Sequence, residues 1–277
     1  MLYVQPTSGL CNRLRAIQSA YELSQRTGQE LVVVWKCDGG MNIPAECIFN
    51  IKTNPKIITF KYNSSCKFLY ILKRLRFEAF QFFMKHRKDF LFLTDKDVCK
   101  ILEESNRTEF QKIIKKHKNV YIQTFSDLTE IKKCDLFIPS EQVLSRVSEV
   151  KSYCNIDKDT IGVHIRRTDN KESILHSPTQ LFEQKMTEEL KRNPKTKFYL
   201  ATDSYEEEQK LAAKFGSAIM TFKNKDTSRT TFQGQIDAYA ELLILSQCKE
   251  LWGSYFSSFS DIAAIIGQIH KEIIKDN

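Results

Sequence analysis

The sequence has little of what marks out a repetitive, disulfide-built or membrane-spanning chain. Glycine and proline are scarce, at 9 and 6 of 277 residues. There is no low-complexity segment and no internal repeat, which excludes repeat and linker-rich architectures. Among the eight cysteines (Cys11, Cys37, Cys47, Cys66, Cys99, Cys134, Cys154 and Cys248) there is no Cys-x-x-Cys pair and none with histidine at zinc spacing, so a structural metal is not expected. No run reaches the roughly 18 to 20 apolar residues of a membrane span. No signal peptide precedes the strand-like opening Met1-Leu-Tyr-Val. The expectation is therefore a cytoplasmic protein with reduced, mostly buried cysteines. The sequons Asn63-Ser-Ser and Asn106-Arg-Thr carry no meaning without secretion. A Walker lysine loop and a Gly-x-Gly-x-x-Gly run are both absent, which disfavours the P-loop and classical dinucleotide readings.

What is present is a core-forming composition, 42% hydrophobic and 11% aromatic, on a length that suits one large domain or two ordinary ones. The formal charge of +8 favours anionic partners such as phosphates, nucleotides, an acidic membrane face or nucleic acid. Solubility alone also accounts for it.

The first half opens as strand, turn and helix: Leu2 to Gln5, Pro6-Thr-Ser-Gly9, then Asn12 to Thr27, with Gly28 as the stop. Gly9 and Asn12 thus sit at a helix N-terminus, where free N–H groups suit an anion; an ordinary βα turn fits equally. Strands are predicted at Glu30 to Trp35, Lys56 to Phe60, Phe90 to Leu93 and Val120 to Phe125. Helices are predicted over 67–88, within 95–117 and from Pro139-Ser140 to Tyr153. In the 67–88 helix, Phe68, Leu72, Leu75, Ala79, Phe82 and Phe83 form one stripe, and Lys73, Arg74, Arg76, Lys85, Arg87 and Lys88 lie on other faces. Two readings stand: a core helix with a solvated basic face, or peripheral contact with a membrane or an acidic acceptor.

In the second half the alternation is clearer. A strand over 160–166 precedes a polar loop and a helix at 178–192, for which Ser177-Pro178-Thr179-Gln180 supplies an N-cap and capping box. Lys197 to Ala201 is the next strand, and Ser204 with Glu207 caps the next helix. Ser217 to Phe222, Gln235 to Cys248, Glu250 to Gly253 and Asp261 to about Ile274 follow as strand, helix, strand and helix. These βα units predict two Rossmann-like α/β domains, residues 1–155 and 156–277, with a cleft between them.

Three strand ends of the second half carry polar groups: His164-Ile-Arg166-Arg167-Thr-Asp169, Thr202-Asp203-Ser204, and Ser254-Tyr-Phe-Ser257-Ser258-Phe259-Ser260. Guanidinium groups fit phosphate oxygens bidentately, a helix start adds N–H donors, and a carboxylate can accept from a ribose hydroxyl or a base. Together they describe a nucleotide diphosphate site. Taken singly, each also has a plain structural reading: an ion pair, a core histidine, an N-cap.

The same residues carry a resemblance. His-x-Arg-Arg-Thr-Asp after an apolar strand, then Tyr-Leu-Ala-Thr-Asp-Ser, then Asp-x-x-x-x-Leu-x-x-Leu-Ser-x-Cys followed by Phe-Ser-Ser-Phe-Ser, resemble the donor-site motifs of the fucosyltransferase superfamily. Gly9-Leu-Cys-Asn12-Arg13 is similar to the motif that opens that family's first domain. The resemblance implies a GT-B, metal-independent, inverting transferase that uses GDP-fucose, with a carbohydrate acceptor, no cofactor and no nucleic-acid partner. It implies that Arg166 holds the β-phosphate, that Arg167 supports that loop or the phosphates, and that Arg167 and Asp169 belong to the donor site. His164 and Asp203 would meet guanine or ribose. Ser257, Ser258 and Phe259 would meet the phosphates, with Gly9 and Asn12 opposite. Glu172 is the candidate base, displaced here from the position that the α-1,6 pattern gives it. Alternatives are another nucleotide sugar, a silent nucleotide-binding member, or a basic nucleic-acid binder.

Overall fold

The structure, a computed structural model, describes residues 1–53, 55–61 and 67–276; Asn63 and Cys66 lie outside them. It divides into two compact units, Met1–Ser140 with Ser228–Gln235, and Glu141–Thr227 with Ile236–Asn277.

The first unit contains β1 (Leu2–Pro6), α1 (Leu10–Thr27), β2 (Leu31–Cys37), β3 (Phe49–Ile51), β4 (Lys56–Lys61), α2 (Lys67–His86), β5 (Phe90–Leu93), α3 (Asp95–Glu104), α4 (Arg107–Lys115), β6 (Asn119–Thr124) and β7 (Phe137–Pro139). Five strands form a parallel sheet in the order β4-β2-β1-β6-β5. The near-continuous apolar run of β2 is buried apart from Lys36, as a strand covered on both faces requires. β3 and β7 make a small antiparallel pair. The sequon residue Asn106 caps α4, its side chain accepting from the N–H groups of Thr108 and Glu109.

The second unit contains α5 (Glu141–Tyr153), β8 (Ile161–Ile165), α6 (Lys171–His176), α7 (Thr179–Arg192), β9 (Phe198–Thr202), α8 (Tyr205–Phe215), β10 (Ile219–Thr221), most of α9 (Phe232–Leu245), β11 (Glu250–Ser254), α10 (Ser258–Gly267) and β12 (His270–Ile274). Its sheet is also parallel, ordered β10-β9-β8-β11-β12. Every residue of β8 and β9 is buried. Ile161, Val163, Ile165, Phe198, Leu200 and Trp252 pack with Phe182, Met186 and Leu211 from the helices above them. Each such side chain contributes about 1.5–3 kcal/mol. The chain is thus mixed α/β with two Rossmann-like parallel sheets. The helix α5, which the sequence reading put before a boundary at 155, belongs to this second unit.

Four local expectations are corrected. The last predicted helix is two elements: α10 stops at Gly267, Gln268 takes a left-handed conformation (φ 51°), and β12 pairs in register with β11. Lys171–His176, read as polar loop, is helical because the Asn170 side chain accepts from Ser173 N. Ser177 does not cap α7; its hydroxyl donates instead to Ile274 O at 2.5 Å. In α2 the first of the two readings, a core helix, does not hold for this stripe, which points outward. Phe68, Leu72, Leu75, Phe82 and Phe83 are 66%, 45%, 52%, 64% and 59% exposed, and it is Phe77 and Met84 that are buried against the sheet, with Phe80 beside them.

Candidate active site

In each sheet the strand order reverses beside one strand, between β8 and β11 in the second unit and between β1 and β6 in the first. Ligands of open α/β sheets bind outside the carboxyl ends of strands at such points. The polar strand ends found in the sequence fall there.

At the second unit's switch point, β8 delivers His164, Arg166 and Arg167. His164 is 4% exposed. Its Nδ1 lies 2.8 Å from Ser260 Oγ, and its ring stacks on Phe259 at 4.9 Å. Ser260 can come that close because β11 has Gly253 beneath it; a Cβ on Gly253 would stand 2.5 Å from Ser260 Oγ. Burial, and then the Arg166 charge, push the imidazole pKa down to about 3, so this ring is neutral at pH 7.

The adjacent arginines do different work. The Arg167 guanidinium donates to Thr179 Oγ1 at 3.0 Å, to Arg166 O at 2.8 Å and to Ser177 O, which locks it into the scaffold. Arg166 meets side chains: Nη1 lies 2.9 Å from Asp203 Oδ2, and Nη2 pairs with Asp169. Asp203, at the end of β9, also accepts from Arg167 N at 2.7 Å and Thr168 Oγ1 at 2.5 Å. Burial raises its pKa, but the Arg166 charge and these hydrogen bonds outweigh that and hold it below the usual carboxylate range. Arg166 N donates to Ser254 Oγ at 3.1 Å, which ties β8 to β11.

Beyond β11 the chain turns through Tyr255 and Phe256 into α10. Phe256 has φ 53° and is 71% exposed, an unfavourable conformation for a bulky residue. Bonds from Asn170 Nδ2 to Phe256 O (2.8 Å) and from Ser173 Oγ to Tyr255 O (2.6 Å) hold the turn. Ser257 is the N-cap residue of α10, yet its side chain makes no capping hydrogen bond. The first-turn N–H groups of Ser258, Phe259 and Ser260 therefore lack a side-chain cap. Glu172 lies on α6, 55% exposed at its side chain, with its carboxylate 3.7 Å from His176 Nε2. Ser254, Ser260 and Asn170 are site residues to which sequence reasoning gave no role. The serine-rich stretch was the signal for the first two.

At the first unit's switch point, Gly9 is the N-cap of α1. The left-handed residue of that turn is Ser8 (φ 69°) rather than Gly9. Asn12 Nδ2 donates to Ser8 Oγ at 3.1 Å, and Arg15 Nη2 donates to Asn12 Oδ1 at 3.0 Å. The turn is fastened by Arg13, which is fully buried: Nε donates to Ser8 O (2.8 Å), Nη1 to Lys36 O (2.6 Å) and Nη2 to Asp38 Oδ1 (2.7 Å). Gly40 lets the loop after β2 close on this turn, since a Cβ there would lie 2.8 Å from Ser8 O.

Among the described residues, no group of three or more His, Cys, Asp or Glu side chains is placed to hold a metal ion. Burial raises the thiol pKa of Cys37 to about 11 and those of Cys134 and Cys248 to about 12, which leaves them unreactive at neutral pH.

No protein-family model matches the chain, and no curated protein matches it by sequence. Solved structures do match. The fucosyltransferase NodZ from Bradyrhizobium aligns with a TM-score of 0.65 at 15% identity, over 96% of this chain and 93% of that one. A mutant of Arabidopsis thaliana FUT1 in complex with GDP aligns at 0.62 and 15%, over 98% and 69%. POFUT1 in complex with GDP aligns at 0.55 and 10%, over 99% and 98%. The fold is thus the GT-B class of these fucosyltransferases.

Proposed function

We propose that this chain is a glycosyltransferase that moves L-fucose from GDP-fucose to a carbohydrate hydroxyl with inversion and without a metal. The observation that carries the reading is the convergence at one switch point of Arg166, the Asp203 carboxylate and an α10 N-terminus left without a side-chain cap. The shared fold supports it, because one NodZ structure was soaked with GDP-fucose and others of the matched proteins hold GDP.

The chemistry follows from charge. When the acceptor oxygen attacks the sugar's anomeric carbon, the bond to the diphosphate breaks and negative charge grows on the departing GDP. Preorganised donors aimed at that charge stabilise the transition state. Arg166 is the donor with reach: the half-buried Asp203 holds one side of its guanidinium, and the exposed Asp169 yields the other to phosphate. Arg167 fixes the loop. Ser257, Ser258 and Phe259 present side chains and N–H groups to the phosphates. His164, neutral and stacked on Phe259, sets the position of that helix start, and its neighbourhood with Asp203 takes the ribose or guanine. Gly9 and Asn12 are proposed to contribute from the first unit, which then serves the acceptor side, while the second unit binds the donor.

Glu172 is the candidate acceptor of the hydroxyl proton. Glu172→Gln is expected to lower kcat about 100-fold, with GDP affinity unchanged in calorimetry; full activity would place the base elsewhere. The reading as a whole is tested by titrating GDP, GDP-fucose, GDP-mannose and UDP-sugars into the protein and following donor turnover over an acceptor panel. GDP-fucose turnover is expected. Binding of a different nucleotide sugar would redirect the reading, and no binding of GDP would end it.

A further inference from the structure

Helix α2 has two apolar stripes and needs only one of them for the fold. Phe77 and Met84 are buried and Phe80 packs beside them on the sheet. At 100° per residue, Phe68, Ile71, Leu72, Leu75, Phe82 and Phe83 lie on the opposite side of the helix, and each is 45% exposed or more. Residues 68–76 are exposed on every side, so the first half of the helix stands clear of the core. From Phe68 to Phe83 the outward stripe runs about 22 Å along the axis.

Basic residues flank this stripe. Arg76 lies on one side, Arg74 and Lys85 on the other, and all three are exposed; Arg87, one residue past the end of the helix, is paired with Asp89 at 2.5 Å. The 67–88 segment has seven Lys or Arg against a single acid, Glu78, and Glu78 is already paired with Arg74 at 2.6 Å. An apolar face rimmed by cations matches a surface with an apolar interior and an anionic skin. A second copy of the chain fits poorly, because it would set one cationic rim against another with no acidic row to meet it. No helix among the described residues is long and apolar enough to cross a membrane.

We propose that the outward face of α2 lies in the interface of an anionic phospholipid bilayer, with the Phe and Leu side chains among the acyl chains and the Lys and Arg side chains at the headgroups. The proposal stands independently of the transferase reading. It is tested by floating the full chain with vesicles of phosphatidylcholine alone or with about one third phosphatidylglycerol. The protein is expected to float with the anionic vesicles only, and to be released at about 0.5 M salt. The double variant Arg76→Gln, Lys85→Gln is expected to weaken partitioning by roughly five-fold per charge, and Phe82→Ser with Phe83→Ser to abolish it. Both variants should keep the wild-type melting curve, since these side chains are outside the core. Failure to float at low salt, or floating unchanged in both variants, overturns the proposal. So does a wild-type dimer in sedimentation velocity that the Phe82→Ser, Phe83→Ser variant converts to monomer, because a second copy then covers the face.

Discussion

The two switch points are built on the same plan and finished differently. Each has a strand at the reversal, a tight turn and an arginine beside a carboxylate. In the first unit Arg13 is enclosed, with backbone carbonyls and Asp38 taking its donors. In the second unit Arg167 has that enclosed role, and the guanidinium of its neighbour Arg166 pairs with the carboxylates of Asp169 and Asp203. An arginine tied to fixed main-chain oxygens can only hold structure. One tied to carboxylates can exchange an anionic side chain for an anionic ligand. On the proposed reading, the doubling of the arginine separates holding from binding.

This contrast can be broken experimentally. Arg166→Ala is expected to cost about 100- to 1,000-fold in kcat while the thermal midpoint stays near wild type; a large fall in the midpoint would make Arg166 another structural arginine. Arg13→Ala is expected to destabilise the protein by about 3 kcal/mol or more, since it strands Asp38 and two carbonyls, and denaturant unfolding reads this directly. An unchanged midpoint there would dissolve the comparison from the other side.

A smaller effect concerns acid. His164 has its folded pKa lowered to about 3 from 6.5. Between those values the unfolded chain binds a proton that the folded one refuses. Stability is therefore present in full above pH 6.5 and declines as pH falls toward 3, at up to about 1.4 kcal/mol per unit. His164→Gln should flatten that part of the pH–stability curve, and an unaltered slope would assign the acid sensitivity to other groups. Smallest of all, Phe256→Gly should raise stability by about 1 kcal/mol, since the left-handed φ no longer opposes a side chain. A loss of stability would mean that the ring, though exposed, packs productively.

Much of this was legible in the sequence, for physical reasons that also show where legibility ended. Strands β8 and β9 are short, mostly apolar and buried on both faces, so composition and length suffice to find them. Their polar ends stand out because charge follows directly on an apolar run. Arg166 and Arg167 are adjacent and chemically identical, and only the tertiary partners, Ser177 and Thr179 against Asp169 and Asp203, separate their roles. β12 was hidden because its apolar residues continue those of α10 and its pairing is with a distant strand. Ser177 looked like a helix cap because local rules do not know that Ile274 and Tyr255 N need its hydroxyl. The two stripes of α2 both satisfy helical spacing, and which one meets the sheet is decided by Phe77 and Met84 in three dimensions.

The return of residues 228–235 to the first unit has a consequence for anyone treating the halves as exchangeable modules. The backbone passes from one unit to the other after Ser140, after Thr227 and after Gln235, and α9 begins in the first unit and continues in the second. A chimera cut once, at 140 or at 155, would take the first unit without a piece of itself and give the second a helix whose opening turn belongs elsewhere. Recombination that respects this architecture has to move two segments together.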